Sequence, residues 1–535
     1  MKHLLSFVLF SCVMFLNMAQ DKGVLSGGFQ SESQFYRSDD KIAATSPDES
    51  IGSNNYFKLD YTFGDFKFGV RYEAYMPPIL GYPTDFEGRG IANRFASYQT
   101  DFLNVTVGNF YEQFGSGMIL RAYEERLLGI DNSIEGINVK LSPVSGIDLT
   151  MLAGNQREYF EIGDGTVRGF DAGFDINELA GSDWKTRVRL EGSFVSKFEE
   201  YTGPDSQIEE DVRSYSGRIK LNRSNWDLNS EYVEKDVDPG ASNLFNTQRK
   251  GRAFLTNINL YKKGFGFSTT FRRIENMDFR SERNASQTNL WINYLPAETR
   301  QHGYLLPNIY PYAVQLNGEI GGQVSISYLV SKKSSLGGKY GTRLALNYSR
   351  FNKLKKSESA SAEDNFDSEF FQFSDTLLYS DFNFEIEKKV SKNLKFVLNY
   401  IQMNYNKFEI EGVPSENVKS QIAVVEMLYK PGNRRSLRTE LQHLSTKQDK
   451  ENWAGFLVEY SMAPKWSFHF FDQYNYGYID KVHYYQTGFS YTKNSSRLAI
   501  SYGRQRGGLI CVGGVCRNVP SATGLSMSLS TSFSQ

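Results

Sequence analysis

Cys511 and Cys516 are the two residues whose type and spacing most directly suggest chemistry. They flank Val512-Gly513-Gly514-Val515, where a tight glycine turn can bring two thiols together. In an exported chain such a pair most simply forms one disulfide. The alternative is a metal or redox pair. The chain has only 5 His, however, and none stands near these cysteines in sequence.

The second group of chemical interest is charged. Lys58, Asp60, Arg71, Glu73, Arg187, Arg189 and Glu191 each alternate with apolar residues. A row of this kind can line a polar passage. A third group, Arg121, Glu124, Glu125 and Arg126, falls in the stretch from Tyr111 to Asn132. Folded inward, such a loop places a charged constriction in a pore, and rings of charge set selectivity there. Folded outward, it is a solvated surface loop with local ion pairs.

Catalytic patterns are missing. The sequence holds no G-x-S-x-G, no H-E-x-x-H and no G-x-x-x-x-G-K. His302, His443, His469 and His483 are scattered, and no serine is presented with any of them. Glu73 and Glu191 are better read as partners of Arg71 and Arg189 than as acids or bases. The expectation is no enzyme, no cofactor and no metal. The acidic residues of 199–210 could hold cations loosely, but solvation explains them.

What could position these groups? Aromatics make up 15% of the chain, hydrophobic residues only 40%, and mean hydropathy is −0.46. Net charge is −1, which gives no electrostatic case for nucleic acid. Lys2 and His3 precede an apolar run from Leu4 to Leu16, too short for a membrane helix, with small residues before Gln20. This reads as a signal peptide over 1–19, cleaved near Ala19-Gln20. Leu9-Phe10-Ser11-Cys12 is a poor lipid-attachment site because Phe10 is bulky and the apolar run continues past Cys12.

The rest, 20–535, repeats one unit. Phe57, Leu59, Tyr61 and Phe63 alternate with Tyr56, Lys58, Asp60 and Thr62, Gly64-Asp65 turns, and Phe66 to Ala74 alternates back. Trp184 to Phe194, Trp226 to Tyr232 and Arg497 to Gly503 follow the same rule, as does Leu525 to Phe533 at the end. Period two with one apolar face marks a strand. It fits a soluble sandwich and a membrane barrel equally.

Connection lengths separate the two. About 24 strand-like segments can be drawn, within a range of roughly 22 to 26; a further hairpin near 287–294 is one source of that range. Short turns such as Gly64-Asp65, Lys262-Lys263-Gly264, Ala463-Pro464-Lys465 and Lys493-Asn494-Ser495 alternate with long connections. The long ones are 38–53, 76–91, 113–133, 199–210, 236–248, 279–312, 353–374 and 505–520. This predicts an all-β fold: one large antiparallel transmembrane β-barrel with short periplasmic turns and long extracellular loops. An even count puts both ends on the turn rim, where Leu525–Phe533 closes on Val24–Tyr36 and removes the exposed edge. Strand starts this early leave no room for an N-terminal plug. Trp466, Tyr474, Tyr476, Tyr478, Tyr484, Tyr485 and Tyr491 would supply the interfacial aromatic belt.

The leader ending Ala19-Gln20, the terminal strand and Gly507 to Pro520 resemble uncharacterised outer-membrane β-barrel proteins of the Bacteroidota. Gly108-Asn109-Phe110 through Phe114-Gly115-Ser116-Gly117 resembles segments of porin-like families. The resemblance implies a cell outer-membrane location and the barrel fold, and brings no active site.

Two functions remain. One is a passive channel for a small polar or charged solute. The other is a non-conducting structural or accessory barrel in a larger outer-membrane assembly. Loop 279–312, with Leu305-Leu306-Pro307 and Tyr310-Pro311-Tyr312, is too apolar to sit in water and should pack in the lumen, over its mouth or on a partner. The expected partners are outer-membrane lipids, the barrel-assembly machinery and other outer-membrane proteins.

Overall fold

The computed structural model describes residues 23–201, 208–240, 250–358 and 366–535. The leader expected at 1–19 lies outside the described residues, as do parts of the 199–210, 236–248 and 353–374 connections. The described chain is a closed antiparallel sheet of 24 strands. Each wall strand pairs with its sequence neighbour, and the terminal strand Ala522–Ser534 pairs with the first, Val24–Arg37, in the register Gly27 to Phe533 and Phe35 to Leu525. Leu25 N donates to the Gln535 carbonyl at 3.1 Å, so the two ends lock together at the turn rim. No helix among the described residues is long and apolar enough to cross a membrane, which says nothing of strands.

Alternation puts the aromatics outside. Phe57 is 40% exposed, whereas its neighbour Tyr56 is 5% exposed and faces inward. The strand Phe66–Tyr75 pairs Lys58 with Arg71 and Leu59 with Val70, so both strands of this hairpin share one charged inner face and one apolar outer face. Burial of apolar side chains by water alone cannot explain exposed Phe66 and Phe68, each 45% exposed. A lipid solvent does.

Several boundaries differ from the sequence reading. Trp184 to Thr186 are not strand: the wall strand starts at Arg187, after the helical turn Ile176–Leu179. Asp175 caps that turn through Asn177 N at 3.1 Å, and the Asn177 side chain holds the Thr186 carbonyl at 3.0 Å. The turn rim therefore carries long connections at 176–186 and 331–341. Among the described residues the loop rim has one tight turn, Tyr159-Phe160, held because Tyr159 packs on Phe86 at 4.8 Å and Phe160 on Tyr75 at 5.9 Å. Much of 353–374 is strand, within Thr342–Glu358 and Phe366–Lys389. The sequence places a long connection here, but Phe370 packs against Phe254 at 5.8 Å and Phe371 against Phe271 at 6.0 Å, which anchors it as sheet. Residues 287–294 add no wall hairpin; Trp291 makes a single bridge to Arg280. Tyr484 is not in the belt either: it is 7% exposed and stacks on Trp453 inside.

The interior is not uniformly polar. Toward the loop rim the inward residues turn apolar, and Val167, Val195, Val212 and Val233 form one cluster with Phe114, Met118, Ile119 and Leu120 of the folded-in loop. A second cluster joins Leu306, Tyr310 and Tyr312 to wall residues Phe351, Ile401, Ile422 and Trp453. These loops fold inward because a wall stripe of valine and isoleucine gives their apolar residues somewhere dry to go.

Candidate functional site

Three loops meet inside the barrel. Arg121 N donates to the Ile292 carbonyl at 2.8 Å, and Tyr294 N to the Gly117 carbonyl at 2.9 Å, which joins 111–133 to 276–318. The third loop is the cysteine hairpin, strands Gly508–Val512 and Val515–Val519, in which Cys511 and Cys516 are disulfide-bonded. Its tip docks on 276–318: Ala297 N donates to the Gly513 carbonyl at 2.8 Å, and the Tyr294 hydroxyl to the same oxygen at 3.1 Å. Gly514 has φ +87°, and a Cβ there would stand 2.5 Å from Ala297 Cβ. Only glycine allows this approach. Loop 279–312 therefore packs in the lumen.

The predicted constriction residues part company. Arg126 lies over the Tyr56 ring at 4.0 Å and pairs with Glu124 at 2.6 Å. Glu124 pairs in turn with Arg71 at 3.1 Å. Arg121 is clamped between the rings of Tyr123 and Tyr294, at 4.6 and 4.1 Å. Glu125 accepts from Leu127 N at 3.0 Å and stabilises its own turn. So the four do not form one ring; two join the wall and two serve the loop.

Arg71 and Glu73, on one strand, ion-pair at 2.7 Å. They belong to a larger network that sequence reading missed. Arg157 pairs with Glu73 at 2.7 Å and with Asp131 at 2.5 Å, and Arg71 also pairs with Asp131. Glu73, Glu124 and Asp131 offer oxygens within 4.8 Å of one another, a spacing that could hold a metal. Arg71, Arg126 and Arg157 stand among them, so the three carboxylates are matched by three guanidiniums. Burial alone would raise the Asp131 carboxyl, but Arg157 and Arg71 more than offset it and hold it below its ordinary range. Burial also raises the Tyr111 hydroxyl, which donates to Asp131 at 3.0 Å.

The remaining candidates line the turn-side half of the lumen. Lys58 pairs with Asp60 at 3.0 Å. Arg187 reaches Asp175 at 3.0 Å and Glu178 at 2.5 Å. Arg189 bridges Asp148 at 2.8 Å and Glu191 at 2.7 Å. Glu191 also binds Arg218 at 2.7 Å and Lys220 at 2.9 Å. Alternation could have found Arg218 and Lys220, which share the inward face with Ser216. Nothing in the sequence pairs Arg272 with Glu319, a fully buried ion pair that also receives the Tyr312 hydroxyl at 2.7 Å.

Among the described residues, two neighbouring cavities lie between the loops and the wall. One, about 320 Å³, lies among Arg300, His302, Tyr310 and the hairpin; the other, about 240 Å³, lies against the closing strands. They share Gln473, Arg506 and Ile510. His302 is tied to Asp381 at 2.5 Å and Arg300 to Glu385 at 2.7 Å.

A closed 24-strand antiparallel barrel with an apolar outer face and loops packed into its lumen is a porin-like, outer-membrane-type β-barrel. The chain belongs to a family of unknown function, DUF6029, whose match spans residues 1–533. Among solved structures it is similar to the translocation pore of the P pilus usher PapC, at 8% identity and TM-score 0.41, covering 96% of this chain and 99% of that one. It is similar to the outer membrane protein opdK from Pseudomonas aeruginosa, at 10% identity and TM-score 0.36, covering 96% and 99%. A BenF-like porin from Pseudomonas fluorescens Pf-5 matches at 13% identity and TM-score 0.36, covering 79% and 98%. These are likenesses of fold. No curated protein matches the sequence.

Proposed function

We propose that this protein resides in the outer membrane of a Gram-negative envelope and acts as a porin-like channel for a small polar or charged solute. The passage runs beside the internal loops rather than down an open centre. The observation that carries this reading is the pair of cavities meeting at Gln473, Arg506 and Ile510, with charged side chains lining the lumen toward the turn rim. Planar-bilayer recording of the purified full-length chain tests it. A small, stable conductance whose ion preference changes in Arg187→Glu is the expected result; silence across all solutes overturns it.

A second reading is a non-conducting accessory barrel. Its support is the dry packing of the loops, with Met118, Ile119, Phe279 and Leu306 each 0% exposed. Silent bilayers together with a stoichiometric outer-membrane protein partner after mild detergent extraction would favour it. Either reading assigns the chain no catalytic step, cofactor or metal, and partners it with membrane lipids and the barrel-assembly machinery rather than nucleic acid. Cleavage of a leader near Ala19-Gln20 and an origin in the Bacteroidota belong to the same proposal.

A further inference from the structure

Arg506 lines both lumenal cavities, just past the end of the wall strand Ser496–Gln505. Among the described residues its guanidinium meets only backbone carbonyls: Gly507 at 3.1 Å from Nη1, and Asn308 at 3.5 Å from Nη2. A guanidinium has five N–H donors, so most of this fork is unused. Gly508, at φ +126°, leaves it room: a Cβ there would stand 3.0 Å from Nη1.

The neighbouring acids are already committed. Asp449 accepts from Lys407 at 2.7 Å and from the Tyr310 hydroxyl at 3.0 Å. Glu411 accepts the Tyr405 hydroxyl at 2.8 Å. Burial pushes the Arg506 guanidinium below its ordinary value, and the more distant tyrosines and acids do not restore it. Among the described residues no carboxylate lies within ion-pair distance of it. Elsewhere in this lumen the inward arginines Arg71, Arg157, Arg189 and Arg218 each have a carboxylate within ion-pair distance.

The lining agrees. Among the described residues neither cavity is lined by an Asp or a Glu. Arg300 and His302 line one side, each tied to a carboxylate behind it, Glu385 and Asp381, and Gln34, Gln473 and Gln486 present amides on the other. Tyr310 and Tyr484 add ring faces and hydroxyls.

We infer that Arg506 binds a small organic oxyanion, a carboxylate or phosphate group on a solute of a few carbons, at the junction of these two cavities. The fork geometry suits two oxygens of one anionic group. At about 320 and 240 Å³ the cavities hold more than a bare ion, with amides and tyrosines for the solute's polar body. The inference deepens the channel reading and rests on it for its biological sense, naming the class of solute, although binding itself can be measured without conductance.

The test is calorimetric titration of the full-length protein in detergent with succinate and with inorganic phosphate, against chloride at matched ionic strength. Arg506→Gln and Arg506→Lys are compared with the wild type, and heat-dependent gel migration checks that each barrel is folded. The expected result is saturable binding of at least one probe, weakened by about tenfold or more in Arg506→Gln. Arg506→Lys keeps the charge but loses the fork, and should fall between; it carries the test if Arg506→Gln does not fold. Preference for succinate identifies a carboxylate solute, and preference for phosphate a phosphorylated one. Binding no stronger than chloride, or unchanged in both variants, overturns the site. Arg506-dependent binding with silent bilayers keeps the site and sinks the channel; conductance with Arg506-independent binding does the reverse.

Discussion

Arg157 Nη2 lies 2.7 Å from Glu73 Oε2, although three wall strands separate the strands that carry them. The pair spans a chord of the barrel rather than an edge of the sheet. Asp131, from the folded-in loop, accepts Arg157 at 2.5 Å and so ties that loop to the same chord. The network therefore fixes wall curvature and loop position together.

Arg157→Met should expose this. Both partners are almost fully buried, and removing Arg157 leaves Glu73 and Asp131 to share Arg71, so the buried network carries one unmatched negative charge. A loss of roughly 3 to 5 kcal/mol is expected. It is read as a lower temperature for loss of compact gel migration, with Glu73→Gln in the same background recovering part of it.

The Asp131 anchor depends on pH. Its folded carboxyl titrates below the ordinary value of about 3.9. The stabilisation is thus fully present above that value and is lost as pH falls through the lower, folded one. Protease cleavage within 111–133 should stay slow at neutral pH and accelerate only in stronger acid. In Asp131→Asn cleavage should be fast at neutral pH with little further pH dependence; slow cleavage there would contradict the anchor.

The disulfide closes a very short loop, so chain entropy gives it only roughly 2 kcal/mol. Replacing both Cys511 and Cys516 by serine should leave insertion and heat-modifiable migration intact while the hairpin becomes accessible to protease. Failure of the barrel to assemble would show that the clip is needed earlier, in folding.

Gly514→Val tests the docked hairpin. The substitution places carbon against Ala297 and demands a φ that valine avoids. The hairpin should leave its dock on Tyr294 and Ala297. Under the channel reading, single-channel conductance rises; an unchanged conductance would mean that ions take another route.

Arg187→Glu separates selectivity from stability. Its side chain is 61% exposed, so loss of its pairs with Asp175 and Glu178 costs less than about 1 kcal/mol. Reversal potentials should nonetheless move toward cation preference.

How much of this was written in the sequence? Strand period two, an outward aromatic face, an even strand count and closure of Leu525–Phe533 on Val24–Tyr36 were all legible, because alternation and turn chemistry are local. Tyr56 and Phe57 already declare opposite faces. The local record also contained the glycine turn between Cys511 and Cys516. Tertiary structure alone decided which charges meet. Glu73, Asp131 and Arg157 are far apart in sequence, and only barrel curvature brings them within ion-pair reach. It likewise split Arg121 and Glu125 from Arg126 and Glu124, since a loop's ring stacking depends on Tyr294 from another loop. Phe370 and Phe371 turned a serine-rich, acidic stretch into sheet by packing on strands far upstream. Periodicity assigns a side chain to a face; what stands opposite it is set by closure and by loops returning through the lumen, and no local pattern encodes that.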